Sequence, residues 1–250
     1  MARRATFIAQ QRAQNQHLLV LDAGDALFSD RALTQASQGA LIIEAMNMMG
    51  YDAMVLGEQD LRLGPAVLRE RMKEAFFPFL SANVRARGEG HLFAQPYTLV
   101  DLGGRTWAIV GLTGLPPAEV AGLVVDDPVG AAREWIPEAA RQAEVLIVLS
   151  HLGWSQNILL ADMFPEVDLI IGGGAELARI QQATSAVTGS QLVQAEFPSA
   201  GHAGRMIGRW QVGFSNEGRL IVGEWQVVGL EPSYADDPAI VQLLTRYTDH

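Results

Sequence analysis

The sequence predicts an α/β fold. Short apolar runs alternate with helical segments through the first two thirds of the chain, turn residues follow most of the runs, and the last third is mostly of β type. The first apolar run, residues 18–21, is too short for a helix and leads directly into Asp22-Ala23-Gly24-Asp25. A run of this kind is typical of a strand buried on both faces of a parallel sheet.

Each further element follows from the same signals. Gly50 stops a long apolar helix where a left-handed cap is wanted, and residues 102–105 turn two β-type segments into an antiparallel hairpin. The predicted helices are 3–15, 32–49, 65–75, 128–142, 156–163 and 237–245. The predicted strands are 18–21, 53–56, 79–81, 97–101, 107–112, 145–149, 167–171, 191–196, 206–214 and 220–228.

Composition excludes several classes of function. A net charge of −10 argues against binding a nucleic-acid backbone, and the absence of Cys excludes disulfides, thiolate metal sites and Cys nucleophiles. No apolar run approaches the ~18 residues of a membrane span, and no secretory h-region follows Met1. We therefore expect a soluble, cytoplasmic chain. A small phosphorylated ligand stays compatible with the charge if a metal ion supplies positive charge.

Polar side chains end several of the predicted strands. Because the carboxyl ends of parallel strands meet at one edge of a sheet, these residues should lie together and form a ligand site. Asp25 taken alone is better explained as a helix cap or a turn residue, but a group of such residues reverses this in favour of function. The candidates are Asp25, Glu58 (with Asp60), Asn83, His151 and Glu176.

The order of these segments resembles a known family. The sequences LDAGD at 21–25, MGYDAMVLG at 49–57, FPFLSANV at 77–84, VLSHLG at 148–153 and DLIIGG at 168–173 are similar to the bacterial 5′-nucleotidase/UDP-sugar hydrolase branch of the calcineurin-like metallophosphoesterases. The resemblance covers nearly the whole chain. It implies one domain over residues 1–250, with a four-layer α/β/β/α sandwich of two mixed sheets. It also implies a two-metal site for hydrolysis of a phosphate ester.

The motifs of that site are altered here. The family's Gly-Asn-His-Glu motif reads Gly57-Glu58-Gln59-Asp60, so that Glu58 replaces the Asn ligand and Gln59 replaces the transition-state His. Unlike His, Gln59 cannot carry a proton charge near neutral pH. By the resemblance, Asp25 is the bridging aspartate and His151 a retained ligand.

Other parts of the family pattern have no counterpart in the chain. The opening Asp-x-His motif would precede Met1, so we expect the opening strand to be missing, together with the family's C-terminal nucleotide-binding domain. The Gly-His-x-His motif reads Gly173-Gly174-Ala175-Glu176. If the biological start lies upstream of Met1, the resemblance favours a periplasmic or extracellular location instead.

We expect at most one divalent ion (Mn, Zn, Fe or Mg), held by Asp25, Glu58 and His151, with Glu176 as a further candidate. Each assignment has a structural alternative: Glu58 as a surface or capping acid, and Glu176 as a helix N-terminal acid. Asn83 is a weaker candidate for substrate contact, and its alternative is a bond to loop backbone.

Two functions remain open. One is a binding or scaffold domain with catalysis weakened or lost, because two-metal chemistry needs more neutral donors than remain. The other is an active metal-dependent phosphomonoester hydrolase that uses Asp25, Glu58 and His151. We also expect the edge of strand 18–21 to be exposed and apolar, so that a homodimer or another partner covers it.

Overall fold

Helices and short strands alternate in the structure, a computed structural model that describes residues 1–29, 31–174, 182–195, 204–218 and 220–248, apart from the side chain of residue 222. The helices are α1 Ala2–Gln14, α2 Ala32–Ser37, α3 Ala40–Met49, α4 Gly64–Glu74, α5 Pro128–Ala140, α6 Trp154–Met163 and α7 Pro238–Thr248. The strands are β1 Leu21–Asp22, β2 Ala53–Val55, β3 Phe79–Leu80, β4 Val84–Ala86, β5 Tyr97–Leu102, β6 Arg105–Thr113, β7 Leu123–Val125, β8 Val145–His151, β9 Leu169–Gly172, β10 Gln182–Thr184, β11 Gln191–Gln194, β12 Met206–Phe214 and β13 Leu220–Gly229. The predicted α/β class is confirmed.

Two sheets form the centre of the fold. β1, β2 and β3 make a parallel three-stranded sheet in that order. The second sheet has the order β10-β11-β9-β8-β6-β5, in which the four inner strands are parallel and both edge strands antiparallel to their neighbours. β4–β7 and β12–β13 form separate antiparallel pairs.

Alternation along β8 explains how the layers stack. Val145, Ile147 and Leu149 point towards the three-stranded sheet and pack into an apolar core between the two sheets. Leu146 and Val148 point the other way, into a core that also contains apolar side chains of α5 and α6. Both faces of this strand are therefore buried, which fits its continuous apolar run.

β2 shows the same alternation on the other sheet. Ala53 and Val55 belong to the core between the sheets, whereas Met54 packs with apolar residues of α1, α3, α4 and α7. The order of layers is therefore helices, sheet, sheet, helices. This is the four-layer sandwich that the resemblance implies.

The predicted helix 32–49 is wrong in one respect, because it is two helices. α2 ends at Ser37, and the chain turns through Gln38 (φ 47°) and Gly39 (φ 83°) before α3 begins. A Cβ atom on Gly39 would lie 3.2 Å from Cβ of Leu27, which is fully buried. The chain therefore bends where it passes close to Leu27, which an apolar periodicity cannot reveal. The predicted stop at Gly50 is confirmed, since its φ is 69°.

The first strand is also shorter than predicted. Of residues 18–21 only Leu21 lies in β1, and only Val20 is fully buried. Both faces are nevertheless covered, as predicted. Leu18 and Val20 pack with the core on the helix side, and Leu19 and Leu21 pack against the core between the sheets. Val20 is nevertheless hydrogen-bonded to Asp52: its N–H donates to the Asp52 carboxylate (2.7 Å), and its carbonyl accepts from the Asp52 N–H (2.8 Å). The Asp52 side chain thus takes the place of a backbone acceptor in the strand ladder. In the described residues β1 is an edge strand of its sheet.

The other predicted elements form close to their predicted positions. The predicted strand 191–196 is described only to residue 195, and β11 within it ends at Gln194. The paired strands β4 and β7 were missed, because each is three residues long and Arg85 interrupts the apolar pattern in β4. No helix in the described part of the chain is both long and apolar enough to cross a membrane.

The approach of the two sheets depends on Gly111 in β6. A Cβ atom there would lie 2.4 Å from Cβ of Leu80 in β3, which is closer than side chains can pack. We expect Gly111→Ala to lower the free energy of unfolding by about 1–3 kcal/mol, measured by urea denaturation. Gly213→Ala is the matched control, because Gly213 also lies in a strand and its Cβ position has open space. Equal stability of the two variants would contradict this view of the sheet interface.

Candidate metal centre

Three predicted site residues meet between the two sheets. Asp25 follows β1, Glu58 follows β2, and His151 is the last residue of β8. Nε2 of His151 lies 3.0 Å from Oδ2 of Asp25 and 3.2 Å from Oε2 of Glu58. One ligand atom from each residue lies within 4.8 Å of the other two, which is compatible with a shared cation.

The spacing of these contacts is compatible with metal ligation. Nε2 of His151 is buried and lies close to both carboxylates. Two ligands at right angles around a metal ion, each bonded at about 2.1 Å, are about 3.0 Å apart. The two measured separations are close to that value. The donor set of two carboxylates and one imidazole therefore fits a divalent ion.

A hydrogen bond of the other ring nitrogen, Nδ1, fixes the orientation of the His151 ring. Nδ1 lies 2.5 Å from the carbonyl oxygen of Ala23, and since a carbonyl can only accept, Nδ1 carries the proton of this bond. In the neutral ring Nε2 then presents its lone pair to the two carboxylates. A backbone carbonyl behind a ligating His is the usual way of fixing the tautomer in metal sites.

Without a metal ion, a proton takes its place. Burial lowers the pKa of His151, but the carboxylates of Asp25 and Glu58 raise it by more, and the pKa ends well above its usual value of 6.5. The protonated ring then balances part of the negative charge of the two acids. A proton and a cation therefore compete for the same position.

Asp60 positions Asp25 and does not reach the metal centre itself. Its fully buried carboxylate accepts backbone N–H bonds from Asp25 (2.9 Å), Leu27 (2.8 Å) and Gly57 (3.0 Å), so it joins the loops after β1 and β2. Burial and the nearby charge of Asp25 raise the pKa of Asp60 to about 7, against the effect of the N–H donors. These bonds also hold Asp25 at φ 61°, a conformation that non-glycine residues seldom adopt.

Two glycines make room for the ligands. A Cβ atom on Gly57 would lie 2.1 Å from Oδ1 of Asp25, and one on Gly173 would lie 2.7 Å from Nδ1 of His151. Oδ1 of Asp25 also accepts the backbone N–H of Gln59 at 2.8 Å. Asp25 is therefore held in place through Oδ1, and its Oδ2 atom faces His151.

Of the two remaining candidates, Asn83 is described, and it does not join this cluster. The Asn83 side chain is buried, donates to the carbonyls of Thr113 (2.8 Å) and Asp126 (3.1 Å), and accepts from the N–H of Thr113 (2.9 Å). Its amide thus bonds loop backbone, the alternative considered from the sequence. Glu176 lies outside the described residues.

One charged neighbour was missed by sequence reasoning. Arg62 donates from Nη1 to Oε1 of Gln59 at 2.9 Å, and its guanidinium carbon lies 4.2 Å from the centre of the Phe28 ring. Arg62 is exposed and follows Gln59 by three residues, a spacing that could have been noticed. The contact with Phe28 could not, because 34 positions separate the two residues in the sequence.

Comparison with known proteins agrees with this fold. The trifunctional nucleotide phosphoesterase protein YfkN of Bacillus subtilis is 29% identical over 260 residues, covering 87% of this chain and 17% of that protein. Its crystal structure, described as a calcineurin-like phosphoesterase, has a TM-score of 0.79 at 21% identity and covers 100% of this chain and 88% of that one. Bovine 5′-nucleotidase is 27% identical over 262 residues, covering 96% of this chain and 45% of that protein.

A second solved structure, the 5′-nucleotidase precursor of Thermus thermophilus, has a TM-score of 0.84 at 26% identity. It covers 99% of this chain and 52% of that one. No family model matches the chain. The chain spans about half or less of the length of the 5′-nucleotidases and of the full YfkN sequence.

The raised pKa of His151 predicts how stability depends on pH. In metal-free protein, the stability contributed by protonated His151 is fully present below about pH 6.5 and is lost as the pH rises through the raised pKa. We therefore expect the difference in free energy of unfolding between wild type and His151→Gln, measured in EDTA, to shrink as the pH rises. With Mn²⁺ we expect this difference to grow as the pH rises, because a smaller fraction of His151 is protonated and competes with the ion. A difference that is independent of pH in both conditions would contradict the ion pairs described here.

Proposed function

We propose that this chain, which is homologous to 5′-nucleotidases and has the calcineurin-like phosphoesterase fold, binds a phosphorylated ligand at one divalent cation and has weakened or lost hydrolysis. The single domain of residues 1–250 would be a divergent version of the metallophosphoesterase domain, with a binding or scaffold role.

The convergence of Asp25, Glu58 and His151 on one point carries this proposal. The fixed tautomer of His151 and the clamp from Asp60 support the same reading, because both orient a ligand before any ion arrives. When bound, a cation at this point would supply positive charge to a phosphate oxygen. Mn, Fe, Zn and Mg all accept carboxylate and imidazole ligands to some degree, and the residues do not select among them.

The donors in the described residues support one ion and not two. Asp25, Glu58 and His151 form the one group of three or more acidic and His side chains found there that could hold a metal. Hydrolysis in two-metal sites uses ions about 3.5–4 Å apart to stabilise both the attacking and the leaving oxygen. Glu176 as a further ligand remains part of the proposal. Gln59 cannot transfer a proton to a leaving group, which also favours weakened catalysis.

The alternative function is an active, metal-dependent phosphomonoester hydrolase that uses the same three residues. The observation that favours it is the orientation of Asp25 and His151, whose ligand atoms are directed into the site by backbone bonds on their other atoms. A nucleotide would be the natural substrate by analogy with the relatives, two of which are named as 5′-nucleotidases.

The edge of β1 is a separate part of the proposal. β1 pairs with β2 on one side and is an edge strand in the described residues, so a homodimer or another protein could pair with it. Light scattering of the 250-residue chain tests this point. A stable monomer at all concentrations would count against it.

Metal binding is the first direct test. After dialysis against Mn²⁺ or Zn²⁺, we expect metal analysis to find at most one weakly bound ion per chain, because three donors surround one point. Glu58→Gln and His151→Gln should each lose the ion, whereas Glu70→Gln, which changes an exposed acid on α4, should keep it. Two tightly bound ions per chain would refute the single-ion site.

Activity is the second test. With Mg²⁺, Mn²⁺ or Zn²⁺, we expect hydrolysis of p-nitrophenyl phosphate and AMP to be very low or undetectable, because the described residues offer donors for one ion and Gln59 cannot donate a proton to the leaving group. Strong metal-dependent turnover that disappears in Asp25→Ala would instead establish the hydrolase.

A further inference from the structure

We infer that Arg62 is an anion-binding residue at the mouth of the metal centre, where its guanidinium contacts the phosphate group of the ligand. This inference rests on the proposed function and deepens it, because it names a protein group that recognises the ligand. Sequence patterns in the chain did not single out Arg62.

Arg62 is held beside the site by contacts on two sides. Its guanidinium stacks over Phe28, three residues after Asp25, and Nη1 donates to Gln59, the residue after Glu58. Phe28 and Gln59 therefore belong to the loops that carry Asp25 and Glu58. A long cationic side chain that is exposed and yet fixed at two points loses less conformational entropy when it binds an anion.

These two contacts leave most of the guanidinium available. Arginine has five N–H donors, and the bond to Gln59 uses one nitrogen. Arg62 has no ion pair with an acid among the residues that the structure describes. A planar guanidinium with spare donors matches two oxygens of a phosphate group, a geometry that a Lys ammonium cannot reproduce.

Charge balance explains why such a residue is needed. Asp25 and Glu58 bring two negative charges, so a divalent cation with neutral His151 only balances these two acids and leaves no positive charge over for an anion. The chain itself has a net charge of −10 and repels an anionic ligand. A phosphate monoester carries up to two negative charges at neutral pH, as a phosphorylated side chain does. Arg62 supplies the remaining positive charge where the ligand enters.

Arg69 offers a matched comparison. It lies on α4, and its guanidinium carbon is 5.2 Å from the centre of the Phe93 ring, so it also stacks on a phenyl group. In contrast to Arg62, it forms an ion pair with Glu89 at 2.6 Å. Its charge is therefore already paired, and its loss should not affect a ligand at the metal centre.

The test measures ligand binding separately from metal binding and from turnover. The probe is phenylphosphonate, a non-hydrolysable analogue of a phosphate monoester, titrated calorimetrically into protein saturated with Mn²⁺. We expect Arg62→Gln to weaken binding of the probe about 10-fold or more, with Mn²⁺ affinity and melting temperature little changed. Arg62→Lys should recover part of the loss, Phe28→Leu should weaken binding by a smaller factor, and Arg69→Gln should match wild type.

The outcomes separate this inference from the proposed function. Equal probe affinity in wild type, Arg62→Gln and Arg69→Gln overturns the role of Arg62 while leaving the metal site intact. Failure of the Mn²⁺-saturated wild type to bind the probe also overturns it. If Mn²⁺ does not bind at all, the proposed metal site is wrong. In that case Arg62 is supported only if the metal-free chain binds the probe and Arg62→Gln does not.

Discussion

The buried carboxylate of Asp60 is the interaction on which the acidic half of the site depends. It accepts N–H bonds from both the loop after β1 and the loop after β2, and thereby fixes the separation of Asp25 and Glu58. A buried carboxylate without such partners would cost several kcal/mol, so the three donors are also what allows Asp60 to be there. The left-handed backbone of Asp25 follows from the same bonds. The geometry of the loops after β1 and β2 is thus set by the Asp60 side chain, which does not itself face the candidate metal site.

The site built on this framework carries an excess of negative charge. Two acids face one imidazole, which gains a proton in the absence of a cation. The lack of a Cβ at Gly57 and Gly173 allows Asp25 and His151 to lie this close together. The chain therefore keeps the acids together at an electrostatic cost, which makes sense if a cation or a proton normally lies between them.

Sequence reasoning predicted that the three candidate ligands lie together because each follows an apolar strand, and parallel strands deliver such residues to one edge. The four-layer sandwich was predicted from the family resemblance and not from hydrophobic periodicity. The alternation of apolar and polar residues along a strand does not show which sheet the strand joins. The break between α2 and α3 was missed because it depends on a contact between Gly39 and Leu27. Asp60 and Arg62 were not given their present roles for a similar reason. Asp60 acts on backbone groups of a distant loop, and Arg62 on a ring brought near by folding.

The placement of the ligands on both sheets has a mechanical consequence. Asp25 and Glu58 extend from the three-stranded sheet, whereas His151 ends a strand of the six-stranded sheet. The core between the sheets is apolar, and the hydrophobic effect that holds it together is not directional. A bound ion would fasten the two sheets at one edge through directional bonds. Shear between the halves of the domain would then be opposed at that edge, and any motion would pivot about the metal centre.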